Sequence, residues 1–257
     1  MKLANPSSAA QLKLRAQKVM KKRSDGIIAT FLLVVLMSAA ALFVALMFST
    51  DEYVATILLG LVSLLFISPL IFGFYRYTLK MFKTGRRVPL SEIWYAFKKC
   101  YSKSIGVAIV LNFAVAIPSA ISGTVFSIIL LILDESLALS ATVYNLLSVL
   151  FSLASTVICL PIYLKYIMAP FILLEHPKLS VAEIASRSKA MMMGNRWRFF
   201  CLNLSFIGWF IVSVFTFGLG YFYTVPYMYV SYAAFYREVS KESRTPVGFV
   251  KGLFRRK

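Results

Sequence analysis

The stretch LSVAEIASRSKAMMMGNRWRFF (residues 179–200) and its continuation CLNLSFIGWFIVSVFTFGLGYFYTVPYMYVSYAAFYRE (residues 201–238) carry the architectural plan of the chain. Ser180-x-x-Glu183 has the spacing of a capping box, which opens a helix by satisfying two of its unpaired N–H groups. The helix over residues 179–193 is amphipathic and ends at a basic-aromatic hinge, Arg196-Trp197-Arg198. An apolar run, Phe199–Phe217, then meets the turn Gly218-Leu219-Gly220 and returns through Pro226 to Tyr236. The pattern is a helix on a membrane surface, a hinge at headgroup depth, and a hydrophobic hairpin.

The same plan recurs upstream in weaker form. Apolar runs cover Ile27–Phe48, residues 54–75, 104–133 and 140–174, each near the roughly 20 residues a helix needs to cross a hydrocarbon core. With the two arms of the last hairpin they make about six transmembrane helices in three hairpins. Pro69, Pro161 and Pro226 each fall in a second arm. A shift of 91 residues aligns Glu92-Ile93 with Glu183-Ile184, Lys98 with Lys189, and Leu111-Asn112 with Leu202-Asn203. Between the second and third runs, Leu90, Ile93, Trp94, Phe97, Cys100 and Tyr101 form one stripe of a second surface helix. The fold expected is all-α and polytopic, with cytoplasmic amphipathic surface helices.

Composition agrees. Of 257 residues 60% are hydrophobic, and the mean hydropathy is +0.77, above a water-soluble domain. The net charge of +18 is placed one-sidedly. Of 28 Lys and Arg, seven fall in the leader, eight between runs two and three, six in residues 165–198, and seven from Arg237 onward. Neither of the short acidic turns, Asp51-Glu52 and Asp134-Glu135, nor the Gly-Leu-Gly turn has one. By the positive-inside rule both termini are cytoplasmic. Basic residues in connecting loops also argue against a nucleic-acid binder, whose cations coat a soluble face.

Residues 1–26 form a basic segment in which Leu12, Ala16, Val19 and Met20 make a modest apolar face suited to anionic lipid. A cleavable signal is the competing reading; the first apolar run of 22 residues exceeds a signal's core and favours a retained helix. The membrane domain is then 27–237, followed by a basic cytoplasmic tail, 238–257. Cys100, Cys159 and Cys201 are distant from one another and His176 is the only histidine, so neither a disulfide framework nor a metal site is expected.

The strings SRSKAMMMGNRWRFF, LSFIGW, TFGLG, VPY and AFYRE, together with the leader LRAQKVM, resemble a family of uncharacterised bacterial integral membrane proteins, domain of unknown function 975. The resemblance is strongest over the last 60 residues. It implies a multi-pass protein of the bacterial plasma membrane and brings no catalytic residue, cofactor or agreed activity.

Candidate site residues are few. Lys165 is a charge inside an apolar run, either lining a pathway or snorkelling to headgroups. Asn112 and Asn203 lie about two turns into their spans, where amides bond across helices or meet a ligand. Tyr229, Tyr232 and Tyr236 share a helix face that either lines a cavity or anchors an interface. Arg196, Trp197 and Arg198 suit a lipid-headgroup anchor. No phosphate loop, dinucleotide loop, zinc-protease motif or Ser/His/Asp set is present, and no carboxylate falls within an apolar run. A non-enzymatic component that meets anionic lipid headgroups or protein partners is expected, with no cofactor, metal or nucleic acid. The alternative is a small-molecule or peptide transporter or channel with a cavity between repeat hairpins.

Overall fold

A computed structural model describes residues 7–48, 51–137 and 141–244, and every regular element among them is helical. Helix α1 runs unbroken from Ala9 to Met47. It opens on Ser8, whose hydroxyl accepts from the Gln11 N–H while the Gln11 side chain accepts from the Ser8 N–H. The basic leader and first apolar run are thus one rod of about 58 Å. The leader's apolar stripe faces protein rather than lipid: Leu12, Ala16 and Met20 are fully buried.

Helices α2 (Glu52–Val62) and α3 (Ser68–Thr84) are joined by a π turn, Ser63–Ile67. Pro69 explains the widening, because it has no N–H for the Leu65 carbonyl four residues back and its ring crowds that carbonyl. The Tyr101 hydroxyl donates to that oxygen at 3.0 Å. After α3 the stripe expected as one surface helix splits into a 3₁₀ turn, Leu90–Trp94, and the single turn α4, Tyr95–Lys99. Gly73 is the reason. A Cβ there would sit 1.8 Å from the Ile93 carbonyl oxygen, so the segment is pressed backbone-first against α3. Ile93, Ala96 and Cys100 are buried, while Leu90 and Tyr101 are exposed.

Helices α5 (Tyr101–Leu137) and α6 (Ala141–Tyr166) form a long antiparallel hairpin. Its register is read from Ser122–Ser155 at 2.6 Å and from Phe126 stacked on Phe151 at 3.8 Å. The turn expected at Asp134-Glu135 is helical through Leu137. Short helices follow: α7 (Ala169–Glu175), α8 (Val181–Met192), α9 (Arg196–Leu204) and α10 (Ile207–Phe215). The capping box at Ser180 and Glu183 forms as read. Helix α11 runs from Tyr221 to Arg244 and crosses the boundary expected at 237; the basic tail beyond 244 lies outside the described residues.

Burial is unevenly shared. The second half of α3, the 3₁₀ turn, α7, α8, the start of α9, α11 and the leader half of α1 form one aromatic-rich core. The arms beyond it are bare, with only 6% of the apolar window of α5 buried. Five helices among the described residues are long and apolar enough to cross a membrane: Ser24–Met47, Glu52–Thr84, Tyr101–Ile132, Thr142–Glu175 and Arg196–Phe215. Exposed apolar surface on this scale needs an apolar solvent. Helix α11, expected as a sixth, is not among them. It is the middle of the core.

Candidate functional site

The structure brings four of the predicted residues into one seam. The Tyr232 hydroxyl donates to the Asn203 side-chain oxygen, and the Asn203 amide donates to the Phe199 carbonyl at 2.8 Å. Tyr229 lies edge-on to Phe74 with centroids 5.2 Å apart and against Tyr75 at 4.8 Å. Tyr236 stacks on Phe171 at 5.1 Å and donates to Glu175 at 2.7 Å. Rings fill this seam, with every hydroxyl bond running between helices. Asn112 and Lys165 are elsewhere. The Asn112 amide donates only to Ala108 of its own helix, at 2.8 Å, on an exposed face of α5. Lys165 is half-buried in the last turn of α6, where its carbonyl accepts from the Ser188 hydroxyl at 2.9 Å.

The basic-aromatic hinge divides its labour. Trp197 is 71% exposed. Arg198 turns inward, donating to Glu238, to Asn195 at 2.8 Å and to the Ser7 carbonyl at 3.3 Å. Glu238 also accepts from the Ser7 N–H at 2.9 Å and from Arg15 at 3.1 Å. Burial alone would raise the Glu238 carboxyl, but the hydrogen bonds from Ser7 and Arg198 hold it below the usual range. This clasp ties the start of the chain to α9 and α11. Arg196 keeps a buried Nε with no partner among the described residues.

A second cluster lies where α3, the α7–α8 loop and α11 meet, and its parts are distant in sequence. Arg76, Lys80 and Lys83 are one and two turns apart on α3, so they share a face. The Arg76 guanidinium lies 3.7 Å from the Tyr95 ring centre and donates to the Leu174 carbonyl at 2.7 Å and to Glu92 at 3.2 Å. Lys80 reaches the other oxygen of Glu92 at 2.9 Å. Burial pushes the Glu92 carboxyl up, but Lys80 and Arg76 outweigh it and hold it below its ordinary value. Lys83 pairs with Glu175.

Two adjoining cavities open here. One of about 590 Å³ is bordered by Arg76, Lys80, Lys83, Tyr95, Glu175 and His176, among others. The other, about 160 Å³, is bordered by Lys83, Glu175, Tyr236, Arg237, Ser240 and Lys241. Among the described side chains, five cations stand around the pair, Arg76, Lys80, Lys83, Arg237 and Lys241, against two carboxylates, Glu92 and Glu175. Arg237 and Lys241 are one turn apart, and like charges at that spacing repel. The surplus suits an anion. Among the described residues no group of three or more His, Cys, Asp or Glu side chains is placed to hold a metal ion. None of these cations and carboxylates is among the candidates read from the sequence. The i, i+4, i+7 spacing of Arg76, Lys80 and Lys83 was the signal available.

The sequence model of one family, described as a protein of unknown function (DUF975), matches residues 4–243. The chain belongs to that family. No curated protein and no solved structure matches it.

Proposed function

We propose that this family member is a multi-pass component of the bacterial plasma membrane, with both termini cytoplasmic, that acts without catalysis by binding anionic lipid headgroups. The site is the double cavity between α3, the α7–α8 loop and α11. What carries the reading is its surplus of cations: five positive side chains face two carboxylates at the end of apolar helices. Its larger chamber, about 590 Å³, falls within the usual range of small-molecule pockets. Arg76 is pre-set by its stacking on Tyr95 and by Glu92, so binding need not order it. Arg237 and Lys241 gain most, since an anion relieves their mutual repulsion. The transport alternative needs space beside Lys165 and Tyr229. Tyr229 is instead packed among Phe74, Tyr75 and Tyr232.

The test is lipid retention by the full chain in nanodiscs of mixed phosphatidylglycerol and phosphatidylcholine, read by native mass spectrometry. Phosphatidylglycerol is expected to be retained preferentially. A basic residue near an anionic surface contributes about 1 kcal/mol, so Arg237→Gln and Lys241→Gln should each weaken retention about fivefold. Equal retention of the two lipids, or retention unchanged in the double variant, refutes the site. A cysteine at Tyr229 that reacts rapidly with a small hydrophilic thiol reagent would restore the transport reading.

A further inference from the structure

We propose that residues 196–222 form a re-entrant hairpin, which enters the membrane from the side of the basic leader and turns back in the near leaflet, with its tip among lipid acyl chains. This does not depend on the headgroup site. The argument starts from α1, whose unbroken length serves as a ruler. Its apolar span begins at Ser24, and Lys13 is 11 residues earlier, about 16 Å outside. The break between α9 and α10 is at that outer level. The Lys13 ammonium donates to the Ser205 carbonyl at 2.7 Å and lies 4.6 Å from the Phe206 ring centre. Tyr227 of α11 is there too, its hydroxyl donating to the Lys13 carbonyl at 3.0 Å.

From that level the hairpin has little reach. Helix α10 has nine residues, and the turn at Phe217 follows two residues later. At 1.5 Å per residue the tip rises about 17 Å, which brings it to the start of the α1 span. Met47, at the far end of α1, is about 51 Å from Lys13 by the same rule. Phe222 carries the hairpin deeper, since its ring meets Phe31, two turns into that span and still in its near half, at 6.4 Å. The start of the hairpin, the last turns of α11 and the leader also share a side, because Arg198 and Glu238 meet each other and Ser7. An even number of crossings keeps the leader and the end of α11 together, and the nine residues of α10 make that four crossings and one dip rather than six.

The tip is built for acyl chains rather than water. Phe217 is fully exposed and holds a left-handed φ of 51°, a conformation that disfavours a bulky side chain. A turn in water would have glycine or asparagine there. Gly218 follows with φ 86°, and Gly220 lets the arms close, since a Cβ would come within 2.7 Å of the Ser213 backbone. Val214, Phe215 and Leu219 are exposed beside Phe217. Nothing among the described residues covers this strained apolar cap. Its level beside the α1 span assigns it to the acyl layer.

The test compares Leu219→Cys with Asp51→Cys, in the turn between α1 and α2, each in a Cys201→Ser background of the full chain. Sealed vesicles of both orientations are treated with a membrane-impermeant maleimide. Leu219→Cys is expected to react poorly from either side, and an attached fluorophore should be quenched at least twofold by lipids carrying nitroxides on their acyl chains. Asp51→Cys should label from one side only. Labelling of Leu219→Cys from the same side as Asp51→Cys means that the hairpin crosses. Ready labelling from the opposite side without quenching means that it lies in water. Either result overturns the proposal. Phe215→Cys repeats the test should Leu219→Cys fold poorly.

Discussion

The second and third hairpins look alike in sequence and differ in the folded chain. The α5–α6 hairpin stands clear of the core over most of its length, and its partners there are its own two arms: Ser122 with Ser155, Phe126 with Phe151. The third hairpin is short and its second arm, α11, supplies the centre of the core, with Tyr227, Val230, Ala233, Phe235 and Tyr236 buried. Apolar composition marks which segments leave water. It does not distinguish leaving water for lipid from leaving it for protein, and the polar minority decides that. Helix α11 has hydroxyls spaced to bond outward, Tyr227 to Lys13, Tyr232 to Asn203 and Tyr236 to Glu175. The arms of α5 and α6 spend most of theirs on their own backbone, as Thr124, Ser127, Ser148 and Thr156 do.

The contrast is sharpest at two glycines. Gly73→Ala places a methyl against the Ile93 backbone, which has no rotamer to move, and should cost about 3 kcal/mol or prevent folding. Gly123→Ala, in the free arm of α5, meets nothing within 4 Å. It should be neutral or stabilise by up to about 1 kcal/mol, because alanine is the better helix former. Thermal unfolding in detergent reads both. Equal losses would mean that the α5–α6 arm is packed as the core is.

The clasp at Glu238 is the next largest effect. Glu238→Gln removes the charge that Arg198 and Arg15 address and should cost about 2 kcal/mol, the scale of hydrogen bonds to charged groups. Because its folded pKa is depressed, this contribution is present above the unfolded value near 4.3 and is lost as pH falls through the lower folded value. Wild type should therefore lose stability in acid more steeply than Glu238→Gln. Parallel pH curves would show that the clasp does not hold the leader. A loss of the same size on neutralising Asp25 would point away from Glu238 as the special carboxylate.

Much of this was legible in the residues. The first four apolar runs, the Ser180–Glu183 cap and the Gly218 reversal are local signals, and they appear where read. The leader's stripe at Leu12, Ala16 and Met20 was legible as apolar, but lipid and protein satisfy such a stripe equally. The surface helix over residues 90–101 fails for a reason outside itself, the bare backbone at Gly73. The basic cleft draws on residues from Arg76 to Lys241, a separation no periodicity spans. Glu175 gives no local sign of its role, because its partners, Lys83 and Tyr236, are 92 and 61 residues away.

The smallest effect tests the repeat itself. Asn112 and Asn203 align at a shift of 91 residues, so a true structural repeat would give them equal roles. Both do bond their own helix four residues back, Asn112 to Ala108 and Asn203 to Phe199, each at 2.8 Å. Only Asn203 also receives a bond from another helix, from Tyr232. Tyr232→Phe should therefore cost about 0.6 kcal/mol, the mean for such bonds between membrane helices. Asn112→Leu exchanges an exposed amide for an apolar side chain and should cost nothing. Similar losses at the two positions, measured by unfolding in the same detergent, would restore the symmetry between the hairpins. Unequal losses would mean that the matched asparagines have diverged, one holding α9 to α11 and the other serving only its own helix.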